Sequence, residues 1–311
     1  MYLKEIQKHR LQRGNSLLLF LTFRCPISCS HCSMNAGTEG ACIQDFSLLG
    51  NLLTGVAGID SLKMVAISGG EPFSEKRGLT LAVDMLYHAG KKIVLYSNGF
   101  WAKNSPPTWI KSILSKTSAV FLSTDQYHQE WVTEATLIKA CQAVLESGSR
   151  PVVQILDFLP VVEQAKNTLQ KTFGQDWESS IDMNLIPFIS YGRASQIKNL
   201  DSSTEQGSTG FCYAINSPTL RYDGTIFACC QEQVITGEGP SCLRYQVSSA
   251  SEIQQTLENI ARDPVFSFLS QYGFHGLIQH HPLLQDISWQ NSQKSCEICW
   301  QILNRLKKKN C

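Results

Sequence analysis

The chain alternates short apolar runs with longer helix-like stretches, and this alternation constrains its fold more than any other feature. The helix-like stretches include residues 78–88, 106–116 and 130–146. The apolar runs read, in order, "SLLLFLTF", "SLKMVAISGG", "KKIVLYSNG", "SAVFLSTD", "RPVVQILDF" and "IDMNLIPF". Strands that alternate with helices predict βα units and a parallel sheet. About six units are fewer than the eight of a complete TIM barrel. We therefore expect an α/β fold, either a partial (β/α)6 TIM-like barrel or an open doubly wound sheet.

Polar residues follow four of these runs at the point where each predicted strand ends. Cys25 comes after the first run, residues 68–71 end the second, Asn98 ends the third, and Ser123 and Asp125 end the fourth. In sheets of this kind, ligands bind at the carboxyl ends of the strands. One pocket is therefore predicted to collect all of these residues.

The composition excludes several classes of protein. Of the 311 residues, 43% are hydrophobic and 17% are charged, which is enough apolar material for a sizeable core. The net charge of +1 provides no basic field for nucleic acid or a membrane surface. The apolar run 15–23 is too short to span a membrane and leads to no signal-peptide cleavage site. We expect a cytoplasmic protein whose twelve cysteines serve metal or redox chemistry rather than a disulfide framework.

Three cysteines, Cys25, Cys29 and Cys32, follow the first apolar run in the stretch "CPISCSHC". Thiolates select soft metals and iron–sulfur clusters. Three thiolates on a four-iron cluster leave one iron without a protein ligand, where a substrate or cofactor could bind. A structural zinc site with His31 as fourth ligand is the alternative, although a histidine placed between Cys29 and Cys32 cannot easily point the same way as both.

This stretch resembles the C-x3-C-x-(aromatic or His)-C signature of the radical S-adenosylmethionine superfamily. The resemblance implies a four-iron four-sulfur cluster on Cys25, Cys29 and Cys32, whose fourth iron is chelated by S-adenosylmethionine. It also implies that one electron from the cluster cleaves the cofactor, and that the resulting 5′-deoxyadenosyl radical abstracts a hydrogen atom from the substrate. The cofactor performs the difficult chemistry, and the protein positions and shields it.

The same resemblance implies roles for residues at the predicted strand ends. "SGGEP" resembles the GGE motif of the family, in which Glu71 would accept a hydrogen bond from the methionine ammonium. His31 would lie near adenine, Arg193 would hold the cofactor carboxylate, and His128 would line the substrate pocket. The expected cofactor-binding residues are His31, Ser68, Gly69, Gly70, Glu71, Asn98, Ser123, Asp125 and Arg193.

A second cysteine group lies in the last third of the chain. Cys212 and Cys229 are spaced C-x11-G-x4-C around a predicted hairpin with an Asp-Gly turn, and Cys296 and Cys299 follow as C-x2-C. This arrangement resembles the Twitch form of the SPASM extension, which implies one auxiliary four-iron four-sulfur cluster on these four residues. Cys230 or Cys311 could replace one of these ligands, and a zinc ribbon built from the same four cysteines is the alternative.

Two domains are predicted. Residues 1–198 would form the barrel, and residues 199–311 a small iron–sulfur domain made of a β-hairpin and a helix. The stretch "NLDSSTEQGSTG", residues 199–210, reads as a linker.

The resemblance indicates the type of reaction more specifically than it indicates the substrate. We expect hydrogen abstraction from a ribosomally made peptide that ends in epimerisation or a crosslink, with His128 near the substrate. Cys230 is the expected hydrogen donor, and Cys42 and Cys242 are the alternatives. Oxidation or epimerisation of a small hydroxylated metabolite is the alternative, and a zinc-stabilised binding protein is the alternative outside the enzymes. The enzyme would be an oxidoreductase or an isomerase, and a flavodoxin or ferredoxin would supply electrons. No nucleic acid or membrane partner is expected.

Overall fold

Nine strands form one sheet in the computed structural model, which describes residues 1–197, 212–287 and 295–307. The first six follow one another in sequence and in space, and each pairs in parallel with the next. They are β1 (Ser16–Phe20), β2 (Met64–Ser68), β3 (Lys92–Ser97), β4 (Ala119–Thr124), β5 (Arg150–Leu156) and β6 (Asp182–Ile186). This order contains no reversal of direction across the sheet, whereas a doubly wound sheet requires one. The partial barrel is confirmed.

Helices connect these strands and continue into the last third of the chain. Most of the connections between consecutive strands contain a helix, as expected for βα units, in which a helix crosses over between parallel neighbours. The helices are α1 (Leu3–Leu11), α2 (Phe46–Ala57), α3 (Lys76–His88), α4 (Thr108–Leu114), α5 (Gln126–Gln129), α6 (Glu134–Glu146), α7 (Leu159–Phe173), α8 (Glu232–Ile235), α9 (Ala250–Arg262), α10 (Pro264–His280) and α11 (Ser295–Leu306). Among the described residues, no helix combines the length and the apolar character of a membrane span.

Two of the predicted helical stretches differ in detail from the structure. The stretch 130–146 is helical only from Glu134, because the Thr133 hydroxyl accepts a hydrogen bond from the amide of Thr136 and so caps the helix there. Residues 106–116 form a helix only from Thr108, because consecutive prolines precede it and the residue before a proline disfavours helical backbone. Local capping chemistry, rather than apolar periodicity, fixed these boundaries.

The apolar core lies on both faces of the barrel sheet. On the outer face, the strands pack against α2, α3, α4 and α6. On the inner face, Ile6 of α1 is 1% exposed and packs with Met64, Val94 and Val152. Helix α1 therefore fills part of the barrel interior, and the remaining interior space is left for a cavity.

The last third of the chain extends the same sheet. Strand β7 (Thr219–Arg221) pairs in parallel with β1, and β8 (Thr225–Phe227) and β9 (Arg244–Gln246) add in antiparallel fashion. The predicted hairpin at Asp223 and Gly224 is present, and Gly224 has the left-handed backbone that the turn requires. The hairpin is thus joined to the barrel by main-chain hydrogen bonds, and the proposed domain boundary falls in residues outside the described ranges.

Candidate functional site

A cavity of about 430 Å³ lies inside the barrel at the carboxyl ends of the strands. It is lined on one side by the loop that carries Cys25, Cys29 and Cys32, and on another by Cys230 from the last third of the chain. The sequence predicted a single pocket at the strand ends, and most of the predicted residues line this cavity: His31, Ser68, Gly69, Gly70, Asn98, Ser123, Asp125, His128 and Arg193.

The three cysteines of this loop form one apolar cluster with Ile27 and Val132. Burial raises the pKa of Cys25 and of Cys29 to about 12. Without a metal, both side chains are therefore neutral thiols at neutral pH. A buried thiol becomes a thiolate when a metal compensates its charge, so this donor set fits an iron–sulfur cluster bound in the cavity.

Gly70 fixes the distance between the β2 end and the cysteine loop. A Cβ atom on Gly70 would lie 2.6 Å from the carbonyl oxygen of Arg24, 2.8 Å from that of Phe23 and 2.9 Å from the Cβ of Ala36. These partners are main chain or a first side-chain carbon and cannot rotate away. The residue is therefore glycine because the loop packs against it, and not only because a ligand passes close by.

Glu71, for which a hydrogen bond to the methionine ammonium is predicted, is a buried residue. It is 2% exposed and does not line the cavity. Its carboxylate accepts hydrogen bonds from the amides of Phe73 and Asn98 and from the Ser97 hydroxyl, at 2.7 to 3.1 Å. Burial nevertheless raises the pKa of Glu71 to about 7. In this arrangement, the carboxyl group joins the ends of β2 and β3.

Asn98 connects this network to the cysteine loop. Its side-chain oxygen accepts a hydrogen bond from the amide of Phe100, and its Nδ2 donates to the sulfur of Cys25 at 3.5 Å. A donor at this position would favour the thiolate of Cys25 once a metal is bound.

Two histidines converge on the carboxylate of Asp125. His128 Nδ1 lies 2.7 Å from Asp125 Oδ2, and His31 Nε2 lies 3.3 Å from the same oxygen. Burial works to raise the pKa of Asp125, but the hydrogen bonds from both histidines outweigh it and hold the pKa below its usual range. The His31 ring stacks on Tyr127, with 4.7 Å between ring centroids. Sequence reasoning listed these residues separately, and only the fold joins them.

Arg193 holds the cysteine loop through its main-chain oxygens. Its Nε donates to the carbonyl of Cys29 at 2.9 Å and its Nη1 to that of Ala36 at 2.8 Å, while its amide donates to the carbonyl of Cys32 at 3.0 Å. The remaining nitrogen, Nη2, is buried and has no partner among the described residues. Arg193 thus supports the loop, and one donor is left over for a ligand.

Cys212, Cys229, Cys296 and Cys299 lie close enough together for each to influence the ionisation of its neighbours. Cys229 is 7% exposed, and charges on Cys212, Cys296, Cys299 and the adjacent Cys230 would affect its ionisation. Burial raises its pKa and that of Cys299 well above the usual range. Cys311, the other ligand considered, lies outside the described residues.

The spacing of the sulfurs bears on which metal the cysteines would hold. Within residues 1–197, 212–287 and 295–307, the one group of three potential ligands with ligand atoms all within 4.8 Å of one another is His31, Asp125 and His128. Among the described cysteines, no three sulfurs approach one another that closely. Sulfurs around one zinc ion, with bonds of about 2.3 Å in a tetrahedron, lie about 3.8 Å apart. A cluster in which each thiolate binds a different iron holds its sulfurs farther apart.

Cys229 and Cys230 are adjacent in the chain but differ in their surroundings. Cys229 turns towards the other three cysteines, whereas Cys230 lines the barrel cavity. Cys42 and Cys242 do not line it.

Several residues that line the cavity were not predicted from the sequence. Arg10 comes from the first helix, Tyr96 from β3, Gln154 from β5 and Asn184 from β6. The last two are joined by a hydrogen bond of 3.2 Å. The inward-facing positions of the strands offered a signal for the latter three through their period of two, but no local pattern marks Arg10.

Comparison with known proteins gives relatives by sequence and by structure. No family model matches the chain. It is 24% identical over 305 residues to a putative peptide biosynthesis protein, YydG, of Bacillus subtilis (strain 168), covering 93% of this chain and 92% of that one. It resembles Streptococcus suis SuiB bound to S-adenosylmethionine, with a TM-score of 0.55 and 12% identity over 86% of this chain and 70% of that one. It resembles anSMEcpe with bound AdoMet and the Cp18Cys peptide equally, with a TM-score of 0.55 and 12% identity over 94% and 97%. These likenesses confirm the fold.

Proposed function

We propose that this chain, a radical S-adenosylmethionine enzyme by its fold and its three-cysteine motif, modifies a ribosomally made peptide. The relatives support the substrate class, since YydG is a putative peptide biosynthesis protein and the structure of SuiB is also known with the precursor peptide SuiA bound.

Cys25, Cys29 and Cys32 would hold the catalytic cluster, and Cys212, Cys229, Cys296 and Cys299 a second one in a Twitch-like domain. When bound, the catalytic cluster and S-adenosylmethionine supply a 5′-deoxyadenosyl radical that takes a hydrogen atom from the substrate. Arg193 and Gly70 would keep the cysteine loop in place. The Asp125 carboxylate would fix the ring orientation of His31 and His128 towards the cofactor and the substrate.

Cys230 would return a hydrogen atom to the substrate radical. The observation that carries this assignment is that Cys230 lines the same cavity as the three loop cysteines, whereas the adjacent Cys229 does not. Hydrogen-atom transfer requires an intact S–H bond, and burial raises the pKa of Cys230, which favours the neutral thiol. The sulfur radical left behind needs one electron and one proton to become a thiol again, and a flavodoxin- or ferredoxin-type protein would be the electron source. This chemistry makes the enzyme an isomerase acting by epimerisation.

The test is a reaction in D₂O with short peptides encoded next to this gene, and with aminocyclitols as the rival substrate class. A thiol exchanges its hydrogen with solvent, so the wild type should place one deuterium on a carbon of the peptide product. Cys230→Ala should still form 5′-deoxyadenosine but no deuterated product. Cys42→Ala is the matched control, since Cys42 does not line the cavity, and should behave as the wild type. Unchanged deuteration in Cys230→Ala would exclude Cys230 as the donor, and turnover of the aminocyclitols alone would exclude the peptide.

A further inference from the structure

Arg10, a residue of α1, contributes a cationic group to the wall of the cavity. Its side chain is exposed and lies in the cavity wall. Tyr96, Cys230 and Glu232 line the same cavity and lie close enough to raise the pKa of its guanidinium.

The position of Arg10 is fixed by the packing of α1. The Met1 amino group donates to the carbonyl of Ser118 at 2.8 Å, and the amide of Leu3 donates to Asp182 at 2.9 Å. Ile6 is buried in the barrel interior. The helix is thus attached along its length, so the Arg10 side chain starts from a rigid base rather than from a mobile terminus.

The guanidinium has spare hydrogen-bonding capacity. It carries five N–H donors in a planar fork, and a thiol can satisfy only a small part of them. None of the ion pairs between described residues involves Arg10. A guanidinium that faces a cavity and has no ion-pair partner is available to bind an anion. A carboxylate matches the fork with two parallel hydrogen bonds.

We propose that Arg10 binds a carboxylate of the peptide substrate, either a chain end or an acidic side chain, and so places the neighbouring carbon beside Cys230. The cavity wall also contains the apolar side chains of Leu18, Met64 and Ala66. A carboxylate bound by Arg10 is oriented by its guanidinium. The negative charge of Glu232 repels a second anion, so the site selects a single anionic group at one position. This inference rests on the proposed role of Cys230.

The experiment uses the iron-reconstituted protein and two alkylating reagents of similar size, anionic iodoacetate and neutral iodoacetamide. Mass spectrometry measures the rate at Cys230 for each reagent, and product ions separate Cys230 from Cys229. The ratio of the two rates cancels changes in the intrinsic reactivity of the thiol. Neither reagent requires radical chemistry, so failure here is distinct from failure of the proposed reaction.

The iodoacetate to iodoacetamide ratio should fall about tenfold in Arg10→Met, as expected for loss of one nearby charge. It should be largely kept in Arg10→Lys and should rise in Glu232→Gln. Circular dichroism and iron content check that each variant is folded. An equal ratio in wild type and Arg10→Met would overturn the proposal.

A second arm identifies the source of the carboxylate by protection of Cys230 from iodoacetamide. Acetylglycylglycine offers a chain-end carboxylate, and acetylaspartic acid amide offers a side-chain carboxylate. Protection by either, lost in Arg10→Met, supports the proposal and names the source. Protection by neither, or equal protection by uncharged acetylglycinamide, would overturn it.

Discussion

Replacing Gly70 with alanine should separate the β2 end from the cysteine loop. The added methyl group would meet two carbonyl oxygens and one Cβ atom at 2.6 to 2.9 Å, all on backbone or the first side-chain carbon. Contacts between carbon and its neighbours are optimal at about 3.5–4.0 Å, so the loop must move by several tenths of an ångström. Overpacking of this kind costs about 1–3 kcal/mol. Because none of the three partners can rotate away, we expect about 3 kcal/mol.

Gly50 in α2 provides the matched control. A Cβ atom there would meet nothing within 4 Å, and alanine in place of glycine within a helix stabilises by about 0.5–1 kcal/mol. Thermal unfolding of the iron-free protein measures both variants. With about 2 °C for each kcal/mol in a chain of this size, Gly70→Ala should unfold about 6 °C below the wild type, and Gly50→Ala at or slightly above it.

Iron content provides the second readout for Gly70→Ala. A displaced loop should fail to hold the first cluster after anaerobic reconstitution, so that the variant binds about four fewer irons per chain than the wild type. Wild-type stability together with wild-type iron content would refute the argument that close packing, and not ligand approach, requires glycine at this position.

Two further predictions concern the residues around the loop. Arg193→Met removes two charge-assisted hydrogen bonds to the loop, each contributing about 1.5–3 kcal/mol, and should lose iron from the first site. Arg244→Met is the control, because it removes similar bonds to the carbonyls of residues 237–239 and should keep that iron. Burial raises the pKa of Glu71 from 4.5 to about 7, so the folded protein holds this proton more tightly than the unfolded chain. The resulting stability is fully present below pH 4.5 and is lost as the pH rises through 7. Urea denaturation should show the wild type losing about 3 kcal/mol more than Glu71→Gln between pH 4.5 and pH 8; identical pH profiles would count against a proton on Glu71.

The periodic features of this protein follow from its sequence alone. Six apolar runs became six parallel strands because each run is long enough for a strand and is bounded by turn residues. The spacing of Cys25, Cys29 and Cys32 is local, and so is the Asp-Gly turn before Cys229. Signals of this kind depend on a few neighbouring residues and can be recognised without knowledge of the fold.

Which distant residues lie close together depends on the fold and could not be predicted from local patterns. Cys229 and Cys230 are indistinguishable in the sequence, yet the pairing of β7 with β1 turns one towards a second cysteine group and the other into the barrel. The motif around Glu71 predicts a ligand-binding residue. In the structure, Glu71 is buried between the ends of β2 and β3, and its carboxyl group accepts hydrogen bonds from Ser97 and Asn98. Arg10 has no motif around it, and it reaches the cavity because Ile6, one turn earlier, is buried in the barrel interior. Packing sets these distances, and packing depends on side chains far apart in the chain.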